Sequence, residues 1–368
     1  IEKSSEWNLK IWEIVMCKIE MLKEKLLSLP DLPIFIAGHK NPDQDSIGSC
    51  LVLCRFLRNF KKQAWVLLNT NEKSIVSWQN IDNLVVKNVN DILQSKNNKK
   101  IDKNTSNDSK LDLCGLKSDK KYGQNGYIFI ALDLNDLSRL DNHQDEFLNA
   151  TLTLNIDHHQ GNTTNADFVY SNDKASSTCE ILFELIEKTD KTLLTLDTCE
   201  NLYCGILTDT NCFSRRITNK TFIIAQQLIN LGVDYYKLNR LVLWGRTVDE
   251  LVCSGLLAQN IVNAGNFHYV VCDKTKSPMC NLSQSVLVKK VAEDLRKIDG
   301  INILVFLIDY KDKFVAKVMT NDCEIADKIS SEFSGGGGHK KEAGFTTTLP
   351  LKTILSTISA YISKMVNN

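Results

Sequence analysis

Four short segments of this 368-residue chain carry carboxylates and imidazoles of the kind that bind divalent cations. In chain order they are His39 to Asp45, Asp133, Asp157 to His159, and Asp209. Hard divalent cations take carboxylate oxygens and imidazole nitrogens as ligands, and two such cations side by side form the site of many phosphoester hydrolases. The four segments together predict a two-metal enzyme that hydrolyses phosphoric esters.

The first segment reads His39-Lys40-Asn41-Pro42-Asp43-Gln44-Asp45. Pro42 fixes its own backbone and is expected to keep Asn41 extended, so the loop turns tightly and directs its histidine and two aspartates into one volume. Taken alone, the segment leaves another interpretation open, in which Asp45 caps the following helix and His39 is an ordinary strand-end residue.

The other three segments each follow a regular element. Asp133 comes directly after an apolar run, where it could also cap the next helix. The triplet Asp157-His158-His159 also ends an apolar run, and burying such groups is costly unless they have a charge or hydrogen-bonding role. Asp209 is predicted at the C-terminal end of a helix, where the dipole disfavours a lone carboxylate and a nearby cation would explain it.

A parallel sheet is the element that would bring these segments together. Residues 34–37 read as a buried strand and residues 46–60 as the helix after it, while residues 127–132 and 151–156 read as two further strands. Ligands bind at the carboxyl ends of strands in an open parallel sheet. An amphipathic helix is predicted within residues 1–29, packed on the same domain.

The chain is long enough for two domains of unequal size. We predict an α/β domain over residues 1–245, a helical linker over 246–264 and a smaller α/β domain over 265–368. Residues 95–122 are polar and poor in large apolar side chains, and they are predicted to be a disordered insertion. The active site is expected in the cleft between the two domains.

Composition narrows the class of protein. Lys plus Arg equals Asp plus Glu at 44 each, which argues against a broad basic surface for long nucleic acids. The 12 cysteines include no Cys-x-x-Cys pair and favour reduced thiols in an intracellular, cytoplasmic protein. The apolar runs are too short to cross a bilayer. Since the chain starts at Ile1 rather than Met, organelle targeting stays open.

The four segments, in this order, resemble the motifs of the DHH phosphoesterase superfamily. Residues 335–344, Gly-Gly-Gly-Gly-His-Lys-Lys-Glu-Ala-Gly, resemble the DHH-associated C-terminal domain of the first type. The resemblance runs from about residue 30 to the end, apart from the polar insertion. Its most similar group is the nano-RNases, oligoribonucleases that degrade very short RNAs from the 3′ end and remove the 3′-phosphate of phosphoadenosine phosphate.

The resemblance implies two Mn²⁺ ions, with Mg²⁺ or Co²⁺ as alternatives. It assigns one ion to His39, Asp43, Asp133 and Asp209, and the other to Asp45, Asp133, His158 and Asp209. Two adjacent cations acidify a bound water and neutralise charge on the phosphoryl oxygens.

The same resemblance assigns the two remaining polar residues of the triplet. Asp157 would orient a neighbouring imidazole, and His159 would face the substrate phosphate rather than a metal. We expect His159 to donate a proton to a substrate oxygen.

Substrate contacts are predicted at three places. The run Gly336, Gly337, Gly338 and His339 is expected to bind a phosphate or terminal nucleotide through backbone N–H groups, although a flexible turn is the alternative. Arg139 and Ser177 are expected to contact substrate phosphates, against a surface salt bridge and a helix cap. Holding one end of the substrate favours di- to pentanucleotides, and no membrane partner is expected. The oligomeric state, monomer or dimer, is not fixed by the sequence.

Two departures from the nano-RNase pattern keep other functions open. The sequence of the first segment is more similar to that of a family II inorganic pyrophosphatase. Residues 314–321 lack the arginine expected there, and Lys317 is its possible substitute. A cyclic dinucleotide phosphodiesterase shares these motifs, and a nucleotide-binding module without activity is the non-enzyme alternative.

Asn211 replaces the usual glycine after Asp209, and asparagine tolerates left-handed geometry.

Overall fold

The protein is described by a computed structural model that covers residues 18–68, 81–93, 126–274 and 282–366. The chain divides into two compact units, residues 1–244 and residues 245–368. The first 17 residues of the predicted N-terminal helix and the predicted insertion at 95–122 lie outside the described residues.

A six-stranded sheet, parallel throughout, forms the centre of the first unit, in the order β3-β2-β1-β4-β5-β6. The strands are β1 (Ile34–Ala37), β2 (Ala64–Leu67), β3 (Val85–Val86), β4 (Ile128–Leu132), β5 (Leu152–Asp157) and β6 (Phe168–Ser171). Strands β1, β2 and β4 are buried at every residue, as continuous apolar runs covered on both faces should be. The predicted parallel sheet is confirmed.

Helices cover this sheet. They are α1 (18–27), α2 (Gln44–Asn59), α3 (Gln144–Leu148), α4 (Thr178–Thr189), α5 (Leu196–Asp209), α6 (Asn219–Asn230) and α7 (Tyr235–Asn239). Shorter helical turns occur at residues 90–93, Leu137–His143, Lys191–Leu193 and Arg240–Trp244. Helix α1 buries Ile19, Leu22 and Leu26, which recur at the spacing of one helix face.

Two glycines set the approach of α2 to its neighbours. A Cβ atom on Gly48 would lie 2.9 Å from the Asn201 carbonyl oxygen of α5. A Cβ atom on Gly205 would lie 2.8 Å from Asp45 Oδ1 and still closer to Cys179 Sγ. Helices α2 and α5 therefore pack backbone against backbone beside the first aspartates of the metal motif.

The second unit has its own six-stranded mixed sheet, in the order β11-β12-β10-β9-β8-β7. The strands are β7 (Val262–Asn263), β8 (His268–Asp273), β9 (Ile303–Asp309), β10 (Phe314–Thr320), β11 (Gly337–His339) and β12 (Glu342–Thr347). Only β8 and β9 pair in parallel, whereas the other neighbours are antiparallel. A smaller α/β unit at the C-terminal side is thus confirmed.

The helices of the second unit are α8 (Val248–Gln259), α9 (Gln284–Val286), α10 (Ala292–Leu295), α11 (Ala326–Ser331) and α12 (Leu351–Val366), with a π-helical turn Leu287–Val291 joining α9 to α10. Residues 246–264, predicted as a linker, form α8 and β7 within this unit, and α8 places Cys253 and Leu257 in its core. The placement of the active site in a cleft between the domains stays a prediction. In the part of the chain that the structure describes, no helix has the length and apolarity to span a membrane.

Candidate metal centre

The carboxyl ends of β1, β4 and β5 and the C-terminal end of α5 bring the predicted metal ligands together. Three overlapping groups have ligand atoms that all lie within 4.8 Å of one another. They are His39 with Asp43 and Asp133, Asp45 with His158 and Asp209, and Asp133 with Asp157, His158 and His159. Each of the six residues predicted as metal ligands belongs to at least one group, and Asp133 is shared between two.

His39 and Asp43 form the outer edge of this cluster. His39 Nε2 lies 3.9 Å from Asp43 Oδ2 and 3.4 Å from Asp133 Oδ2, while its Nδ1 donates to the Lys40 carbonyl at 2.8 Å. The second Asp43 oxygen accepts from the backbone N–H groups of Asp45 and Ser46, both at 3.1 Å. The cap of α2 is therefore Asp43, and the alternative that Asp45 acts as a cap is wrong.

The loop before this cap turns differently from the expectation. Asn41 has a φ of 53°, a left-handed conformation, and is not extended. Asparagine is among the residues that tolerate this region, so the turn is made at Asn41 itself. The preceding Lys40 N–H donates to the Arg139 carbonyl at 2.6 Å, which fixes the loop to the segment after β4.

Asp133 lies at the centre of the cluster and is 2% exposed. Its φ of 58° is also left-handed, and its N–H donates to the Ile156 carbonyl of β5 at 3.1 Å. One carboxylate oxygen faces His39, whereas the other lies 3.4 Å from both His158 Nε2 and Thr178 Oγ1. The two oxygens thus face different ligand groups, as a bridging carboxylate requires.

Asp45 and Asp209 approach the same group from helices α2 and α5. Asp45 is fully buried, and its two oxygens accept from the backbone N–H groups of Thr178 and Cys179, both at 2.8 Å. Those N–H groups belong to the first turn of α4, where the helix dipole favours an anion. Asp209 ends α5 as predicted, with Oδ2 2.9 Å from His158 Nε2.

The carboxylates of the cluster give it an excess of negative charge, which favours the binding of a cation. Burial by itself lowers the pKa of His158, but the carboxylates of Asp133 and Asp209 raise it well above its usual value. Burial, and then the charges of Asp133 and Asp209, raise the pKa of Asp45 well above its usual value. Burial opposes the ionised form of Asp133, yet His158 and His39 hold its pKa well below its usual range. Three carboxylates held this close together favour a positive charge between them, which a divalent cation would supply.

The donor atoms themselves fit a metal. His158 Nδ1 contacts the Ala175 carbonyl at 3.4 Å, which leaves Nε2 pointing at the carboxylates. This Nε2 atom is buried and close to Asp133 and Asp209 without hydrogen-bond geometry to either. Donor atoms that lie within 4.8 Å of one another are spaced as the ligands of a shared ion would be. The mixed oxygen and nitrogen donors suit a divalent cation.

Asp157 holds the side chain of His159 rather than that of His158. Asp157 Oδ1 lies 2.6 Å from His159 Nδ1 and also accepts from the His158 backbone N–H at 2.8 Å. Asp157 is fully buried, and His159 is 9% exposed. A carboxylate on Nδ1 fixes the ring and directs Nε2 away from that carboxylate.

Two predicted phosphate contacts have different surroundings. Ser177 is fully buried, and its hydroxyl accepts from the Glu180 N–H at 3.0 Å as the N-cap of α4, which supports the capping alternative. Arg139 is partly exposed and acts electrostatically on His39 and Asp136. Among the described residues, its guanidinium forms no ion pair within 4.0 Å, so it remains available to an anion near the cluster.

The glycine run belongs to the second unit. Gly336 donates its N–H to the Phe333 carbonyl at 2.9 Å, and a Cβ there would overlap the Ser330 carbonyl. Gly337, Gly338 and His339 form β11, which pairs with β12 at the edge of the sheet. Part of the expected backbone donor set is therefore used within the protein, and the outer edge of β11 is what is left for a ligand.

Lys317 does not replace the missing arginine as a phosphate ligand. It is 6% exposed, and its Nζ lies 2.9 Å from Glu293 Oε1 and 2.7 Å from Glu342 Oε1. A third contact, at 3.0 Å, goes to the Val288 carbonyl. Because the ammonium group already contacts these three partners within the protein, it is not placed to bind a substrate phosphate.

A cavity of about 260 Å³ opens beside His39 in the first unit. Its lining includes the apolar residues Ile47 and Leu67 and the polar residues Lys40 and Asn142. A group bound in this cavity would lie one side chain away from the metal cluster, because His39 lines both.

The residues that support the carboxylates were not predicted from the sequence. Thr178 and Cys179 hold Asp45 through their N–H groups, and Ser46 Oγ accepts from the His39 N–H at 3.1 Å. A helix start at 178 was visible in the sequence, and helix N-termini bind anions, but nothing in one sequence indicates which anion.

Residues 33–206 match the DHH family, N-terminal domain. The match covers most of the first unit of this chain. The chain is 25% identical over 315 residues to a probable bifunctional oligoribonuclease and PAP phosphatase, NrnA, of Streptococcus mutans, covering 83% of this chain and 86% of that protein. It is 23% identical over 354 residues to the cyclic-di-AMP phosphodiesterase PdeA of Listeria monocytogenes, covering 93% of this chain but only 50% of that protein.

A solved structure shares the same fold over nearly the whole chain. The crystal structure of an exopolyphosphatase-related protein from Bacteroides fragilis has a TM-score of 0.74 at 20% identity and covers 95% of this chain and 96% of its own. With the DHH domain and the buried donor cluster, these similarities place the chain among metal-dependent hydrolases of phosphoric esters that process nucleotides and nucleic acids.

Addition of a divalent cation is expected to stabilise the protein against heat. At a free Mn²⁺ concentration 100 times Kd, one site contributes about 2.7 kcal/mol, which corresponds to a rise in Tm of about 5–10 °C. The rise should shrink as pH falls, because the ligands bind metal only when deprotonated. Differential scanning calorimetry with EDTA, Mn²⁺ and Mg²⁺ measures it, and an unchanged Tm at millimolar cation would contradict the site.

Proposed function

We propose that this chain is a two-metal, Mn²⁺-dependent phosphoesterase that hydrolyses short nucleotide substrates. The activity is that of a nano-RNase, a 3′-to-5′ oligoribonuclease, together with or in place of a 3′-phosphoadenosine 5′-phosphate phosphatase. The convergence of the six predicted ligands in overlapping groups carries the proposal. The similarity to NrnA along most of both chains supports the choice of substrate.

The proposed ligand sets of the two ions build on the overlapping groups, with Asp133 and Asp209 shared. His39, Asp43, Asp133 and Asp209 would hold one ion, and Asp45, Asp133, His158 and Asp209 the other. When bound, the ion pair supplies an acidified water and charge neutralisation for the phosphoryl oxygens.

His159 and Asp157 provide the proton transfer in the proposed reaction. Asp157 holds the imidazole through Nδ1, so Nε2 is the nitrogen that can donate to a substrate oxygen. The burial of both residues keeps bulk water away from this pair, which strengthens the interaction between them. His159 is thus the proposed catalytic acid, and Asp157 the residue that orients it.

Substrate phosphates would meet Arg139 near the metals and the edge of β11 in the second unit. Arg139 lies within electrostatic range of His39, and the residues Gly336 to His339 present backbone groups at a sheet edge. With zero formal net charge, the protein lacks the broad basic surface that long nucleic acids require. A short nucleotide is the substrate that fits this charge balance.

A hydrolysis panel tests the function. Purified protein with Mn²⁺ is given a dinucleotide, a 24-mer RNA, phosphoadenosine phosphate, pyrophosphate and cyclic di-AMP, and the initial rates are compared. We expect fast cleavage of the dinucleotide or phosphoadenosine phosphate and slow cleavage of the 24-mer. Cleavage of pyrophosphate alone would overturn the proposal in favour of a pyrophosphatase, and binding without turnover would indicate a nucleotide-binding module.

A second candidate function is supported by one of the relatives. The similarity to PdeA covers 93% of this chain, so a cyclic dinucleotide is a substrate that the same unit pair could accept. The cyclic di-AMP arm of the panel separates the two, because a nano-RNase should cleave the linear dinucleotide at least as fast as the cyclic one.

A further inference from the structure

Asn155 lies in the middle of β5 and is completely buried. Its side-chain Nδ2 donates two hydrogen bonds, to the Ala131 carbonyl at 3.3 Å and to the Leu134 carbonyl at 2.9 Å. Neither carbonyl can donate, so the amide must face them with its NH₂ group. A polar side chain at a position that pairs with Ala131 of the neighbouring strand has a specific task there.

The two carbonyls flank Asp133. That residue adopts a left-handed φ of 58°, which is costly for a side chain with a Cβ and persists only where the surroundings hold it. The amide of Asn155 links the carbonyl two residues before Asp133 to the carbonyl one residue after it, and the bond from the Asp133 N–H to the Ile156 carbonyl holds the bend itself. The bend is what directs one carboxylate oxygen to His39 and the other to His158.

The amide of Asn155 is itself fixed from behind. Its Oδ1 accepts from Asn162 Nδ2 at 2.6 Å. Asn162 Oδ1 in turn accepts from the Thr164 N–H at 3.1 Å and from its hydroxyl at 2.7 Å. Because every polar atom of the Asn155 side chain has a partner, these bonds fix a single orientation of the side chain. In that orientation the NH₂ group holds the carbonyls on either side of Asp133.

We propose that Asn155 is a positioning residue for the shared metal carboxylate, with Asn162 fixing its orientation. The inference rests on the proposed function, because it assigns Asn155 a role in cation binding. Without the amide, the Ala131 and Leu134 carbonyls each lose a buried donor, and the backbone around Asp133 loses one of its constraints. Binding of the cation would then have to fix the position of the Asp133 carboxylate, and this would lower the affinity for the cation.

The test compares Asn155→Ala with a matched control, Thr153→Val. Thr153 lies two residues earlier on the same strand and is also buried, and its hydroxyl bonds Asp167 instead of the peptides around Asp133. The control loses a buried hydrogen bond of similar kind, so it reports general destabilisation. Mn²⁺ affinity is measured by EPR of free Mn²⁺ at a temperature well below the Tm of each variant, and Tm is recorded alongside.

We expect Asn155→Ala to weaken Mn²⁺ binding about 10–100-fold, as the loss of residues that orient metal ligands does, while Thr153→Val keeps the affinity of the unsubstituted protein. Should Asn155→Ala fail to fold, the more exposed Asn162→Ala should weaken Mn²⁺ binding severalfold through the freed amide. Unchanged affinity in the folded variant, or an equal loss in Thr153→Val, would overturn the inference. Absence of Mn²⁺ binding by the unsubstituted protein would overturn the proposed function instead.

Discussion

Asp133→Asn is expected to lower the rate of phosphoester hydrolysis on the order of 10³-fold or more. The substitution preserves the shape of the side chain but removes the charge that both ligand groups share, and transition-state stabilisation by a bound metal is worth several kcal/mol. Steady-state kinetics on the best substrate of the panel measure kcat, and EPR measures Mn²⁺ binding. Both should fall together, since the carboxylate acts through the metals.

Asp136→Asn is the control for this substitution. Asp136 lies three residues further on and accepts from the Ser138 N–H at 2.8 Å and the Thr163 hydroxyl at 2.9 Å, outside the three ligand groups. Its loss should alter the loop but keep turnover within a few-fold. Full activity in Asp133→Asn would refute the two-metal site.

His159→Gln should reduce kcat by about 10²–10⁴-fold while Mn²⁺ affinity stays near that of the unsubstituted protein. Removing the imidazole removes the proton donor, but the six proposed ligands stay in place. The separation between kcat and metal affinity distinguishes this role from that of His158, whose loss should abolish binding as well. A substrate with a better leaving group, such as a nitrophenyl ester, should recover part of the rate.

His143→Gln provides the matched comparison. His143 Nδ1 contacts Glu146 Oε2 at 2.5 Å, so it is also a histidine held by a carboxylate in the first unit. It belongs to none of the three ligand groups. If both substitutions reduced kcat equally, His159 would have no special place in the reaction.

The sequence predicted the sheet well where apolar runs end in polar residues. Strand β1 begins and ends at the expected residues, and β4 and β5 start one residue later than expected. Strands β2, β3 and β6 were missed. They are two to four residues long, and β2, although as short and as buried as β1, does not lead into a segment like His39 to Asp45 that would mark it.

The ligand candidates were visible because carboxylates and histidines at the ends of apolar strands are costly to bury unless they bind a charge or a hydrogen-bond partner. The turn after Asp209 was also anticipated, since Asn211 adopts a φ of 46° in place of glycine. The partners of individual side chains were not predictable. The choice between Asp43 and Asp45 as the cap of α2 depends on contacts that form only in the folded chain. The same is true of the ion pairs of Lys317 with two glutamates.

The close packing at Gly205 gives the chemistry an unusual dependence on a residue with no functional group. An alanine methyl there would press against Asp45 Oδ1 and Cys179 Sγ at once. To relieve that overlap, α2 and α4 would have to move away from α5, and a shift of α2 would widen the gap between Asp45 on α2 and Asp209 on α5. The geometry of the group formed by Asp45, His158 and Asp209 thus depends partly on the absence of a side chain at Gly205.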